Sequence, residues 1–121
     1  MKSEVNNLVV EFNKKTGASL LSCDLWLTKD YTIIASHNSN QAVTATLGKL
    51  VVELRDSIEN IGLPPVKNYQ IISLEMNTLL VAIHLDNDHI LSCVIDKSKV
   101  TYGVLFTVID ELIADFKERS N

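Results

Sequence analysis

The chain of 121 residues is poor in glycine and proline. It has four glycines, isolated at positions 17, 48, 62 and 103, and two prolines, adjacent at 64 and 65. Dispersed glycines exclude the phosphate loop GxxxxGK(S/T) and the dinucleotide fingerprint GxGxxG, which need glycines clustered so that backbone amides can approach a phosphate. No GxSxG elbow and no HExxH helix occurs either. Basic residues are few and scattered: eleven against fifteen acidic, a net charge of −4, with Lys14–Lys15 the one adjacent pair. Phosphate binding needs clustered Lys and Arg, so nucleic acid is not an expected partner. No apolar run approaches the roughly 18 residues that span a bilayer, and "MKSEVNNLVV" lacks the long apolar region and cleavage site of a signal peptide. Direct membrane insertion is not expected, and a cytoplasmic location is. Cysteine is scarce too. Cys23 and Cys93 lie far apart in apolar stretches, and in a reducing compartment the expectation is two small buried thiols without a disulfide.

What is present suits one folded domain over residues 1–121: 46% apolar and 21% charged residues, with no linker, repeat or low-complexity tract. Val5, Leu8, Val9 and Phe12 recur at helical spacing, and Gly17 suits a C-cap. "ASLLSCDLWLT" reads as a strand with Leu21, Cys23, Leu25 and Leu27 on one face and Leu20, Ser22, Asp24 and Trp26 on the other. "TKD" turns into a second strand, "YTIIASH". Asn38, Ser39 or Asn40 then caps a long helix that stops at Gly62 before "LPPV". "KNYQIISLEM" has the alternation of an edge strand, with Tyr69 and Glu75 exposed. "LLVAIHL" and "HILSCVI" are apolar on both faces and flank a "DND" hairpin turn. Ser98 or Thr101 caps a last helix carrying Val104, Leu105, Val108, Ile109, Leu112, Ile113 and Phe116. The order is helix, two strands, helix, three strands, helix. Strands apolar on both faces require helices on both sides of one mixed or antiparallel sheet, an α+β domain.

The long helix draws most of the functional interest. At 100° per residue, Val43, Leu47, Leu50, Val51, Leu54, Ile58 and Ile61 share one face, expected to pack on the sheet. Lys49, Glu53, Asp56 and Asn60, with Ala42 and Thr46, look solvated. Between them runs Gln41, Ala45, Gly48, Val52, Arg55 and Glu59, small and apolar at the centre and polar at the ends. Gly48 costs a helix about 1 kcal/mol relative to alanine, so close approach by another backbone is expected there. The row either contacts a second molecule, as a core with a polar rim, or tucks against a loop of its own chain.

Chemistry has few candidates. His84 and His89, with Asp86 and Asp88, flank one hairpin, but a solvated turn explains them more simply than a metal. His37 beside the helix cap reads as a surface residue. Asp24 is an odd carboxylate beside Trp26: a buried general acid, or a residue that faces solvent or pairs with a strand neighbour. No second catalytic partner is evident, so no catalytic, cofactor or metal residue is nominated, and an enzyme is not expected.

With this order established, the stretches "TGASLLSCDLWL", "YTIIASHNS", "QAVTATLGKLVVEL", "IISLEMNTLLVAIHLDNDHILSCVID" and "VTYGVLF" carry a resemblance. From about Thr16 to Phe116 the chain resembles the roadblock/dynein light chain family of the longin-like superfamily. The resemblance implies a five-stranded antiparallel sheet in the order 2-1-5-4-3. It also implies a dimer in which long helices pair antiparallel and third strands join edge to edge, through Gln41, Ala45, Gly48, Val52, Arg55, Glu59, Tyr69, Ile71 and Ser73. Family members typically act as non-enzymatic scaffolds or regulators of small Ras-like GTPases, which makes Lys49, Glu53, Asp56 and Asn60 candidate contacts. The Asp-Gly turn common between the first strands is replaced here by "TKDYT". Alternatives are a small-ligand sensor of PAS or GAF type, which needs a roomy pocket, and a longin-type trafficking or motor-complex subunit.

Overall fold

A computed structural model describes the backbone of residues 2–120 and the side chains of residues 6–119. The first helix, α1, runs Lys2–Thr16 and buries Leu8, Val9 and Phe12; Val5 has its side chain outside the described residues. Its last turn closes when the Thr16 hydroxyl donates to the Phe12 carbonyl at 2.7 Å, and Gly17 follows at φ 59°, the left-handed conformation glycine tolerates. Strands β1 (Leu20–Leu27) and β2 (Ile33–His37) form a hairpin, and α2 (Gln41–Asn60) follows. Asn40 is its cap, its side-chain oxygen accepting from the Val43 N–H at 3.1 Å. Then come β3 (Tyr69–Leu74), β4 (Thr78–His84), β5 (His89–Asp96) and α3 (Tyr102–Ser120). Thr101 caps α3, accepting from Val104 N–H at 3.2 Å.

The five strands form one sheet in the order β2-β1-β5-β4-β3, with every neighbouring pair antiparallel. Helices α1 and α3 cover one face and α2 the other. Period-two alternation divides β4 between them. Leu79, Val81 and Ile83 pack into the α1/α3 layer, while Leu80 and Ala82 pack toward α2. The same division holds for β5, with Leu91, Cys93 and Ile95 on one side and Ile90 on the other. In β1, an irregularity between Leu20 and Ser22 leaves Leu21 exposed, against the expectation that it shares the buried face of Cys23 and Leu25.

The two layers are unequal. Among the described residues, the α1/α3 layer buries twenty core residues and the α2 layer five: Trp26, Leu47, Val51, Ala82 and Ile90. A helix held by so little apolar burial needs other attachments, and it has them.

A candidate interaction surface on α2 and β3

The attachments begin with Asp24, which is 1% exposed. Its Oδ2 accepts from the Thr44 hydroxyl at 2.6 Å and from the Asn40 backbone N–H at 3.2 Å, tying β1 to the first turn of α2. The Thr44 and Ser92 hydroxyls lie 2.9 Å apart, and Trp26 Nε1–H donates to Ser92 at 3.3 Å. Each member of the chain Asp24–Thr44–Ser92–Trp26 is buried, so each bond is made in a low dielectric and orients its neighbour. Asp24 therefore does not face solvent, and while Ser92 pairs with its backbone across the sheet, its carboxylate bonds to α2 and anchors that helix.

The anchor sets how α2 is turned. With Thr44 held against Asp24, the sheet-facing side is Thr44, Leu47, Gly48 and Val51. This centre lies about 60° around the helix from the face that apolar spacing suggested. Leu50, Leu54 and Ile61, expected to pack on the sheet, are instead 53%, 51% and 72% exposed. Gly48 shows why the rotation is tolerated. A Cβ there would lie 3.1 Å from Trp26 Cη2 and Cζ2 and 3.5 Å from Tyr31 Cδ1, so glycine admits the indole beneath the helix. The close approach at Gly48 is made by a side chain of the same chain, where another backbone was expected.

The turn "TKDYT" completes this corner. Tyr31 adopts φ 61°, a conformation that costs a non-glycine residue free energy. Its ring stacks on Trp26 with centroids 5.6 Å apart and closes over the Gly48 side of the helix. A glycine turn would leave that indole uncovered.

The residues singled out as a dimer row are thus divided. Gly48 is buried, Val52 packs against the α2-side core, and half-buried Arg55 reaches the Asn87 carbonyl at 3.4 Å. Tyr69 stacks on Phe106 at 5.4 Å and Ile71 packs against the α1/α3 layer, so neither projects freely. These five make contacts within the chain: Gly48, Val52 and Arg55 because the anchored helix turns that part of the row toward the sheet, Tyr69 and Ile71 because β3 presents them to the α1/α3 layer. Gln41, Ala45, Glu59 and Ser73 remain exposed. Lys49, Glu53, Asp56 and Asn60 are all exposed and form one stripe on the outer side of α2.

What the rotation leaves open is apolar. Leu50 and Leu54 on α2 and Ile72 and Leu74 on β3 are exposed, and Ala42, Val43, Thr46, Leu47, Leu50, Ile72 and Leu80 line a groove of about 290 Å³ between α2 and the β3/β4 end of the sheet. β3 ends the sheet, so one side of its backbone has no strand partner among the described residues. Spacing alone could not reveal this patch, because its leucines sit where a core face was expected.

His84 and His89 do not meet. His89 Nδ1 pairs with Asp86 Oδ1 at 2.9 Å and its ring lies 5.1 Å from that of Phe116. His84 is buried, with Nε2 3.0 Å from the Gln70 amide nitrogen, and its pKa is pushed down to about 4 by burial and by the Arg55 charge. His37 is half-buried, its Nε2 3.3 Å from the exposed Asn38 amide nitrogen. No group of three or more metal-ligating side chains assembles among the described residues, and no helix among them is long and apolar enough to cross a membrane.

No protein-family model matches the chain, and no curated relative matches it by sequence. Solved structures do match in shape. Myxococcus xanthus MglB superposes with a TM-score of 0.81 at 12% identity, covering 97% of this chain and 87% of that one. A Roadblock/LC7 domain from Streptomyces avermitilis gives 0.72 at 13% identity, covering 94% and 95%. The gliding protein MglB of Thermus thermophilus gives 0.66 at 16%, covering 96% and 90%. With the strand order, the two helical layers and these superpositions in agreement, the chain has the roadblock fold over nearly its whole length.

Proposed function

We propose that the chain is a non-enzymatic module that pairs with a second copy of itself through α2 and β3 and, as a pair, binds and regulates a small Ras-like GTPase. The observation that carries the reading is the set of exposed apolar side chains Leu50, Leu54, Ile72 and Leu74 on α2 and β3, of which Leu50 and Ile72 line one groove, beside the outer edge of β3. Antiparallel pairing of two β3 edges satisfies backbone groups that otherwise invite uncontrolled association, and brings two α2 helices side by side. The shape likeness to MglB and Roadblock/LC7 structures, one of them described as MglB with a tetrameric arrangement, supports self-association as the working mode. Exposed Gln41, Ala45, Glu59 and Ser73 form the rim of that contact. Lys49, Glu53, Asp56 and Asn60 then lie along the outer side of both helices, where they contact the GTPase.

A small-ligand sensor is less favoured, because Trp26, Leu47, Val51, Ala82 and Ile90 fill the space between α2 and the sheet where a ligand would sit. Sedimentation equilibrium tests the pairing. The chain is expected at twice 13.5 kDa at low micromolar concentration, and Leu50→Asp is expected to return it to 13.5 kDa. A wild-type monomer refutes the reading. Titration with a purified Ras-like GTPase in its GDP and GTP states, against an Asp56→Lys and Asn60→Lys variant, tests the outer stripe. Equal binding by the variant removes that stripe from the contact.

A further inference from the structure

Cys23 and Cys93, 70 positions apart in sequence, are direct partners across β1 and β5, two of the sheet's interior strands. The kind of rung they occupy follows from the ladder. Thr28 N–H donates to the Asp88 carbonyl at 2.9 Å, so the 28/88 rung is hydrogen-bonded. Antiparallel rungs alternate, which makes 26/90 and 24/92 hydrogen-bonded and 25/91 and 23/93 the non-hydrogen-bonded rungs between. At such a rung the Cα atoms stand about 4.5 Å apart, inside the 4.4–6.8 Å range that disulfides span. Both thiols point into the α1/α3 layer, where each is 1% exposed. Burial, and next the Cys23 thiol beside it, hold the Cys93 thiol well above the usual cysteine range, which leaves little Cys93 thiolate to react while the layer is closed.

We propose that Cys23 and Cys93 form an oxidisable cross-strand dithiol that a low-molecular-weight disulfide converts to an intrachain bond. One thiol, as its thiolate, attacks a sulfur of the small disulfide RSSR, forming a protein–S–S–R mixed disulfide and expelling RS⁻. The second thiolate attacks the protein sulfur of that mixed disulfide, forming the Cys23–Cys93 bond and expelling a second RS⁻. Two electrons leave the protein, and each RS⁻ takes up one of the two thiol protons. Access depends on local opening of the α1/α3 layer, so the reaction proceeds at the opening rate and more slowly than at a surface thiol. The Cβ atoms must close by about 1 Å, since cross-strand neighbours stand some 5 Å apart and disulfide Cβ atoms about 4 Å. The adjacent rung, Asp24–Ser92, carries the anchor of α2 on the opposite face, so closing the bond also moves the hydroxyl against which Trp26 rests.

The full chain, treated with excess 2-hydroxyethyl disulfide in subdenaturing urea, tests this. Intact mass is expected to fall by two hydrogens, a tryptic map to yield one peptide joining the two cysteines, and dithiothreitol to reverse both. The midpoint temperature of the oxidised chain is expected to rise by roughly 5–15 °C, because the bond closes a long loop. Emission from Trp26, the sole tryptophan, is expected to shift. The Cys93→Ser chain should stop at the mixed disulfide on Cys23. Two separate adducts on the wild-type chain, or two thiols still free after the layer's amides have exchanged with solvent, overturn the proposal. A bond formed without change in Trp26 emission overturns the link to the α2 anchor.

Discussion

Consider replacing Gly48, first with alanine and then with leucine. A Cβ at this position lies 3.1 Å from two indole carbons, whereas carbon pairs prefer 3.5–4.0 Å. The indole has no easy retreat: Trp26 is fully buried, its Nε1 is held by Ser92, and Tyr31 stacks against it. Alanine returns about 1 kcal/mol of helix propensity. Overpacking against a fixed ring costs about 1–3 kcal/mol. The net loss is then about 0–2 kcal/mol for alanine and about 3 kcal/mol or more for leucine, whose further carbons have no room. Urea unfolding followed by circular dichroism measures it. At a slope of about 1.5 kcal/mol per molar, a 3 kcal/mol loss lowers the midpoint by about 2 M. The loss should be the same in a Leu50→Asp background, where pairing is already broken, because the clash is within one chain. Trp26→Phe should relieve it, making alanine at 48 no worse than glycine. If Gly48→Leu leaves the Leu50→Asp midpoint unchanged and weakens only self-association, then Gly48 faces another molecule and the rotation of α2 is wrong.

Two other predictions concern buried polar groups. Because the His84 pKa is pushed down to about 4 from 6.5, the unfolded chain holds its proton more tightly than the folded one. Stability from this group is full above about pH 6.5 and falls as pH drops toward 4, by at most about 3 kcal/mol; His84→Gln should flatten that part of the stability–pH curve, and an unchanged slope would show the imidazole is solvated. Thr44→Val removes the hydroxyl that donates to Asp24 at 2.6 Å while keeping its volume, leaving the Asn40 N–H as the carboxyl's remaining donor and costing about 1.5–3 kcal/mol by urea unfolding. A neutral result there would mean that apolar packing alone holds the helix.

The elements were legible because their signals are local. Leu8, Val9 and Phe12 mark α1, Asn40 and Gly62 bracket α2, and two-sided apolar runs mark β4 and β5 as interior strands. Strand order came from family resemblance, not from spacing. The orientation of α2 was not legible, because periodicity locates apolar residues without saying which cover a core and which cover a partner. Seven apolar positions outvoted one threonine and one glycine, yet Thr44 and Gly48 are buried beside Leu47 and Val51 while Leu50, Leu54 and Ile61 are outside. Their partners lie 20 and 22 residues upstream on β1, with Ser92 a further 48 beyond Thr44. Asp24 drew notice as an anomalous carboxylate, but only the folded chain reveals what it binds. The cysteines were expected to be separate thiols; their facing positions follow from β1–β5 pairing, which no local pattern encodes.

The sheet's two margins are unlike, and that difference bears on how large an assembly can grow. β3 is bare and lies beside apolar side chains, while β2 is five residues long and has α1 packed on it. If growth used both margins, each added molecule would expose another, and the product would be a fibre without limit. Joining bare margin to bare margin by a two-fold axis uses up the adhesive ends in one step and leaves only short, shielded strands outermost. Lengthening β2, or stripping α1 from it, should therefore turn a particle of fixed stoichiometry into one that polymerises.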